Sequence, residues 1–241
     1  MNQKIGVLGC GNMGGAIVRG LLNKIDQVYA YDRNLKNRES LNQMTNVTLY
    51  NSAEELARNI DVLIIAIKPN SIIDVLKQLE VCKTYNLVIS VAANVTLSQL
   101  QSGTSSQVIR TIPNTAAILN KSITISTAES PILSLIGDVV VLPEEKFHAG
   151  MILGGCQPAF AMKYIRAAQL AGIEMGLTSQ QAQDISVGAV SGAMEILNHG
   201  GTPDLECNRV MSPGGVTVKG VNKLEELGFT GVVIQALKAC K

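Results

Sequence analysis

Two short stretches of this chain carry residue types that act through their backbone. The first is Gly9-Cys10-Gly11-Asn12-Met13-Gly14, directly after the apolar run KIGVLG. In a G-x-G-x-x-G at a strand-to-helix turn the three glycines serve different ends. Gly9 permits the tight turn, Gly11 lets the backbone approach a pyrophosphate, and Gly14 lets the helix pack on the sheet. The helix start, with Asn12 and Met13 in its first turn, meets the negative charge. The second stretch is Ser212-Pro213-Gly214-Gly215-Val216-Thr217. Serine reads as an N-cap and proline as a first-turn residue, yet two glycines follow, each costing about 1 kcal/mol against alanine in a helix. Their bare amides suit a carboxylate, and the same residues also read as a plain break between two helices.

Three further positions flank the first motif. Asp32 closes the run QVYAYD, where a carboxylate accepts from a ribose 2′-hydroxyl and repels a 2′-phosphate; Arg33 beside it could pair with that phosphate or stand solvated in a loop. NADPH and NADH are both open on these residues. Lys68, followed by Pro69, and Asn114 come after the runs DVLIIAI and QVIRTI, at the strand ends where open α/β sheets present their ligands. Either could instead be a satisfied loop residue.

The elements that must position these residues fall into two halves. From residue 4 to about 142, KIGVLG, QVYAYD, NVTLY, DVLIIAI, LVISVA, QVIRTI, SITIST and DVVVL alternate with helical patterns, the rhythm of a parallel sheet with crossover helices. Capping boxes at Ser52/Glu55 and Thr96/Gln99 open two of those helices. After residue 143 the strands stop, and helical stretches follow at about 156–175, 179–198, 203–210 and 214–227, the second opened by a box at Thr178/Gln181. The expected organisation is a dinucleotide-binding α/β domain over 1–143 and an all-helical domain over 144–241. Gly188, Ala189, Ser191, Gly192 and Ala193 make a small-residue face on the helix 179–198, which predicts a close helix-helix seam of the kind a homodimer uses.

Composition narrows the functions. Twenty basic against 19 acidic residues leave a net charge of +1, which gives no field for nucleic acid or an anionic membrane. No apolar run reaches a bilayer's span, and the N-terminus turns at once into a patterned strand, so a cytoplasmic protein is expected. Five cysteines form no C-x-x-C pair, and His148 and His199 stand far apart, so no metal site is expected and the thiols read as packing groups.

With the glycine turn placed, AIKPN at 66–70, ISVAANVTLSQL at 89–100, VIRTIPNTAA at 108–117 and MSPGGVTVKGVNKLEELGF at 211–229 together resemble the pyrroline-5-carboxylate reductase family, over nearly the whole chain and in the family's order. The resemblance implies a Rossmann-type α/β domain followed by a helical dimerisation domain that interlocks with its twin, with larger homo-oligomers open to it. It implies hydride transfer from NADPH or NADH to the imine carbon of a small cyclic imino acid, 1-pyrroline-5-carboxylate, giving L-proline. It places the glycine-rich turn with Gly9, Gly11, Asn12, Met13 and Gly14, the A-x-K-P segment with Lys68 and Pro69, and the P-N-T segment with Asn114 along the cofactor cleft, beside the Asp32 and Arg33 contacts read above from the residues. Ser212, Gly214, Gly215 and Thr217 would hold the substrate, with Thr217 offering its hydroxyl to the imine nitrogen. Three stretches depart from the family pattern: Gly154-Gly155-Cys156-Gln157-Pro158-Ala159-Phe160 stands where S-G-S-G-P-A-Y is usual, the segment between Thr127 and Val139 is shorter, and Ala53 replaces an asparagine. The alternatives are a reductase of another imine or hydroxy acid on the same scaffold and a non-catalytic dinucleotide-binding relative. A hydroxy-acid enzyme would follow a helix lysine with paired asparagines, whereas Lys163 is followed by YIRAA; the non-catalytic relative would have lost the 212–217 loop, which is intact.

Overall fold

All eight β-branched runs form strands in the computed structural model, which describes residues 3–240. They are β1 Ile5–Leu8, β2 Val28–Tyr31, β3 Val47–Leu49, β4 Val62–Ile65, β5 Leu87–Ser90, β6 Val108–Ile112, β7 Ser122–Ser126 and β8 Gly137–Val141. Their order in one sheet is β3-β2-β1-β4-β5-β6-β7-β8. The connecting helices are α1 Asn12–Leu22, α2 Leu35–Asn42, α3 Ala53–Arg58, α4 Ile72–Glu80, α5 Leu97–Gln101, α6 Pro131–Ser134 and α7 Phe147–Met151. Every residue of β1 and β4 is buried, because helices cover both faces of the sheet. Side chains alternate across it: Val62 and Ile64 enter the cluster with Ile17, Val18 and Leu21 of α1, whereas Leu63 and Ile65 enter the one with Leu56, Leu76 and Leu79.

One strand runs against expectation. β7 is antiparallel to β6, and β8 is parallel to β7. A parallel neighbour needs a connection that crosses back over the sheet, usually through a helix. Between Ile112 and Ser122 there is only a 3-10 turn, Thr115–Leu119, ended by Asn120 in a left-handed conformation (φ 56°). The Asn120 amide ties that turn down by donating to the carbonyls of Gly20 and Leu135. The short segment after Thr127 leaves a four-residue helix, α6, between β7 and β8.

The strand order reverses between β1 and β4, so their carboxyl ends diverge and open a crevice beside Gly9 and Ala66. Of the three capping boxes, those at Thr96/Gln99 and Thr178/Gln181 close in both directions. The one at Ser52 closes halfway: its hydroxyl accepts from the Glu55 amide, but the Glu55 carboxylate accepts from the Asn51 amide.

The chain divides after Gly155 into two compact units. The second consists of α8 Gln157–Glu174, α9 Ser179–Asn198, α10 Pro203–Arg209, α11 Val216–Glu226 and α12 Phe229–Lys238. The sequence pattern does not disclose α12, because VVI inside it has the β-branched character of a strand. The hairpin of α8 and α9 closes where Gly172 faces Ala182, leaving 2.8 Å between a Cβ on Gly172 and that of Ala182. Gln169 reinforces it by donating to the Ser179 carbonyl at 3.0 Å. A Cβ on Gly188 or Gly192 would meet open space, so the small face of α9 makes no seam with other described residues of its own chain. Among the described residues no helix is long and apolar enough to cross a membrane.

Candidate active site

The glycine-rich turn is built as its spacing requires. Gly9 has φ +91°, and a Cβ there would stand 2.6 Å from the Ala66 carbonyl oxygen on the neighbouring connection. A Cβ on Gly14 would collide with the Gly9 carbonyl, so helix and turn close on each other only without a side chain. Gly11 differs: it is exposed, a Cβ on it would meet nothing, and as N-cap of α1 it gives the helix no side-chain cap. The first-turn amides face a bare approach, which fits a diphosphate. Asn12 is exposed at that opening, while Met13 is half-buried against the core beneath it.

Asp32 is where the sequence expects it and does something else. It is 8% exposed, and its carboxylate accepts from the Cys10 amide at 2.6 Å, the Asn34 amide at 2.7 Å and the Asn37 side chain at 2.9 Å. The expectation of a carboxylate held open for a ribose hydroxyl is corrected to that extent, since three of its lone-pair positions are already used within the protein. Arg33 is exposed beside it. Burial and the Asp32 charge push the Cys10 thiol up to about 12, so it stays protonated and packs against the turn. Asn37, on α2, is not foreseen from the sequence; nothing in the polar stretch LKNRES marks an asparagine that reaches back to a strand end.

Lys68 and Pro69 are exposed at the end of β4, with Lys68 as the N-cap of a 3-10 turn, Pro69–Ser71. Asn114 is buried and both ends of its side chain are spent: Oδ1 accepts from the Ala116 amide, and Nδ2 donates to the Gly154 carbonyl at 3.0 Å. Its side chain therefore fastens the P-N-T segment to the altered stretch at 154–156, which winds as a π-helical turn, Ile152–Cys156. A second fastening, also unforeseen, lies one strand end away. Arg110 is buried, pairs with Glu144 at 2.5 Å and lies 4.2 Å over the Phe147 ring. An arginine inside the β-branched run VIRTI was the available signal, because a buried guanidinium must find a carboxylate.

In the second unit, Ser212 to Thr217 departs from the sequence expectation in two ways. Ser212 is not the N-cap; Gly215 is, and α11 begins at Val216. The Gly215 amide is also not bare, because it donates to the Ser212 carbonyl at 2.9 Å. Proline followed by Gly214 at φ +73° inside that bond is the signature of a type II turn, which explains why a glycine is needed there. Gly215 is needed for room, since a Cβ on it would lie 2.5 Å from the Ser212 hydroxyl. The open donors are those of the first turn of α11, at Val216, Thr217 and Val218, with no side-chain cap and with Thr217 exposed among them. Among the described residues no group of three or more His, Cys, Asp or Glu could hold a metal ion.

The chain is similar to known proteins over its whole length. Residues 144–241 match the family model described as pyrroline-5-carboxylate reductase dimerisation, and residues 4–94 match that described as NADP oxidoreductase, coenzyme F420-dependent. The pyrroline-5-carboxylate reductase of Escherichia coli strain K12 is 33% identical over 261 residues, covering 100% of this chain and 96% of its own. The solved structure of the Coxiella burnetii pyrroline-5-carboxylate reductase superposes with a TM-score of 0.86 at 27% identity, covering 100% of this chain and 96% of that one. That of the Streptococcus pyogenes 1-pyrroline-5-carboxylate reductase gives 0.85 at 27% identity, over 99% and 96%.

Proposed function

The chain belongs to the pyrroline-5-carboxylate reductase family, and on that basis we propose that it reduces 1-pyrroline-5-carboxylate to L-proline with NADPH or NADH. The observation that carries the proposal is the presence in one chain of two uncapped, glycine-bracketed helix starts, at α1 and at α11. The first suits a diphosphate and the second a carboxylate. The reduced nicotinamide supplies the hydride when bound. Gly9, Gly11, Asn12, Met13 and Gly14 form the turn that holds the dinucleotide's diphosphate end, with Arg33, Lys68 and Pro69 exposed near it; Asp32 and Asn114, whose side chains are hydrogen-bonded within the protein, shape the turn and the P-N-T segment.

The remaining work belongs to the loop before α11. The turn at Ser212 and Gly214 aims the first-turn amides of Val216 and Thr217 at the substrate carboxylate. Gly215 keeps the approach clear. The Thr217 hydroxyl then holds a hydrogen bond at the imine nitrogen as its charge changes, an interaction that is stronger in the transition state than in the ground state. A non-catalytic role is disfavoured by the intact loop, which a dinucleotide-binding regulator has no reason to keep.

The cofactor half is read as 1–143 and the assembly half as 144–241; the match to the dimerisation model over residues 144–241 supports this boundary, while the two compact units divide later, after Gly155. A homodimer is the working form, from which larger homo-oligomers can be built. Five free cysteines suit a reducing compartment, so the protein is assigned to the cytoplasm.

Steady-state kinetics with 1-pyrroline-5-carboxylate test the reading. Oxidation of NADPH or NADH is expected, and its absence with both cofactors overturns the proposal. Thr217→Val is expected to lower kcat by roughly 10- to 100-fold, equivalent to about 1.4–2.7 kcal/mol of transition-state stabilisation. Gly215→Ala crowds the Ser212 hydroxyl and is expected to raise KM more than it lowers kcat. A Thr217→Val enzyme with unaltered kcat removes Thr217 from the mechanism.

A further inference from the structure

Arg110 and Glu144 form an ion pair whose geometry serves a third group. Arg110 lies in the middle of β6, buried, on the sheet face that also carries Val108, which packs with Leu100 of α5. Its Nη1 donates to Glu144 Oε1 at 2.5 Å. The same Oε1 accepts from the backbone amide of Leu97, the first residue of α5, at 3.2 Å. Arg110 Nε and Glu144 Oε2 are both buried and have no partner among the described residues. A carboxylate whose task was to neutralise the guanidinium would meet its planar fork with two oxygens. This one leaves a donor and an acceptor unpaired, which is destabilising, and turns its one engaged oxygen to a helix start.

Leu97 follows the connection from β5 to α5, residues 91–96. Because β5 runs parallel to β4, this connection leaves the sheet at the carboxyl ends, the side on which the crevice at β1 and β4 opens. Inside it Asn94 is exposed with a left-handed backbone, φ 62°, and Ala93 packs on the cluster of Ile112, Ile125 and Phe147. Among the described residues, Glu144 supplies the only side chain from a distant segment that hydrogen-bonds to 91–97. We propose that Arg110 and Glu144 are positioning residues: Arg110 aims the Glu144 carboxylate at the start of α5, and Glu144 thereby fixes the 91–96 connection on the face where the dinucleotide is held. The proposal rests on the reductase reading above. Both residues act through the connection and not on the reacting atoms. A small shift of that connection moves what is bound against it, and misplacement slows transfer more than it weakens binding.

Kinetics of 1-pyrroline-5-carboxylate reduction, dinucleotide titration read by nicotinamide fluorescence, and chemical denaturation together separate positioning from stability. Glu144→Ala strips the acceptor from Leu97 and leaves Arg110 buried without a counter-charge, so stability falls and the Leu97 amide exchanges its hydrogen faster. In this variant kcat is expected to fall about tenfold, with KM for the imino acid held within about threefold. Glu144→Gln keeps an oxygen of the same reach. It is expected to bring kcat and Leu97 protection back to within about threefold of the parent, although Arg110 still lacks its counter-charge and stability stays low. The double variant Arg110→Met, Glu144→Ala removes both charges. It is expected to unfold no more easily than the parent and yet to keep the loss in kcat of about tenfold, and it carries the test if Glu144→Ala does not fold. A kcat that follows stability instead, low in Glu144→Gln and restored in the double variant, overturns the proposal, as does an unaltered kcat in Glu144→Ala. If the wild-type protein leaves the imino acid unreduced, the reductase reading fails by itself and dinucleotide binding decides the positioning role: a Kd raised about threefold in the double variant upholds it, and an unchanged Kd overturns it. Wild-type protein that binds neither NADPH nor NADH overturns both.

Discussion

The sheet unit and the helical unit bury their apolar residues very differently. In the first, β1 and β4 have no exposed residue, and α1 alone buries Ile17, Val18 and Leu21. In the second, α10, α11 and α12 have no buried residue, and α9 buries only Ala182. Ile185, Met194, Val232 and Ile234 stand exposed there. A folded chain in water does not carry so much open apolar surface without something to cover it. The first unit finishes its core within one chain. The second is half of a core, consistent with its match to a dimerisation domain.

Substitutions that hit one unit and spare the other would test the contrast. The largest effect is expected from Leu63→Ala in the centre of β4, where the side chain is fully buried. A loss of about 2–5 kcal/mol in chemical denaturation is expected, independent of protein concentration in the first-unit transition. A smaller loss would mean that the sheet core can collapse around the cavity.

Gly192→Leu comes next and should behave in the opposite way. Its Cβ would meet open space in the single chain, so a lone subunit would tolerate it. In a dimer that uses the small face of α9, the side chain forces the helices apart. Association is expected to weaken by roughly 10- to 100-fold, about 1.4–2.7 kcal/mol, in sedimentation velocity, with activity falling in step. A fully active monomer, or an undisturbed dimer, would move the interface elsewhere.

Gly172→Ala sharpens the comparison inside the helical unit, because that glycine does have an intrachain neighbour, the Cβ of Ala182 at 2.8 Å. The overlap costs about 1–3 kcal/mol and the gain in helix propensity returns about 1, so a net loss of about 1 kcal/mol in unfolding is expected. No loss would show that the α8–α9 hairpin slides freely.

The smallest effect is expected at Asp61. The Lys4 amide, donating at 2.9 Å, and the Lys83 ammonium at 3.2 Å hold its carboxyl below the ordinary carboxylate range. A depressed folded-state value stabilises the native protein above the unfolded pKa, and that stabilisation is lost as pH falls through the folded one. Asp61→Asn should therefore lower Tm slightly near pH 7, and the gap to the parent should close in acid. A gap that persists in acid would assign the effect to packing.

How much of this was legible beforehand depended on whether a feature was local. β-branched runs mark all eight strands, and in β1 and β4, buried along their whole length, the run is apolar throughout because helices cover both faces there. The helix α12 was missed for the same reason in reverse: Val232, Val233 and Ile234 look like a strand until Gly228 turns the chain into a helix. The direction of β7 follows from how the segment between Ile112 and Ser122 folds back, as a 3-10 turn tied to Gly20 and Leu135 by Asn120, and those long-range bonds leave no mark in the pattern of residues.

At the candidate site, residue types were readable and their commitments were not. Glycine at 9, 14 and 214 is dictated by backbone conformation or close approach, properties that a sequence motif records directly. By itself the sequence determined the glycine turn, the two-part grammar of the chain and the family to which its motifs belong. Only the tertiary structure decided that the Asp32 carboxylate faces the Cys10 and Asn34 amides, that Asn114 holds Gly154, and that the Gly215 amide is already spent on Ser212. A hydrogen bond between distant residues depends on which elements pack together, and no spacing along the chain encodes it.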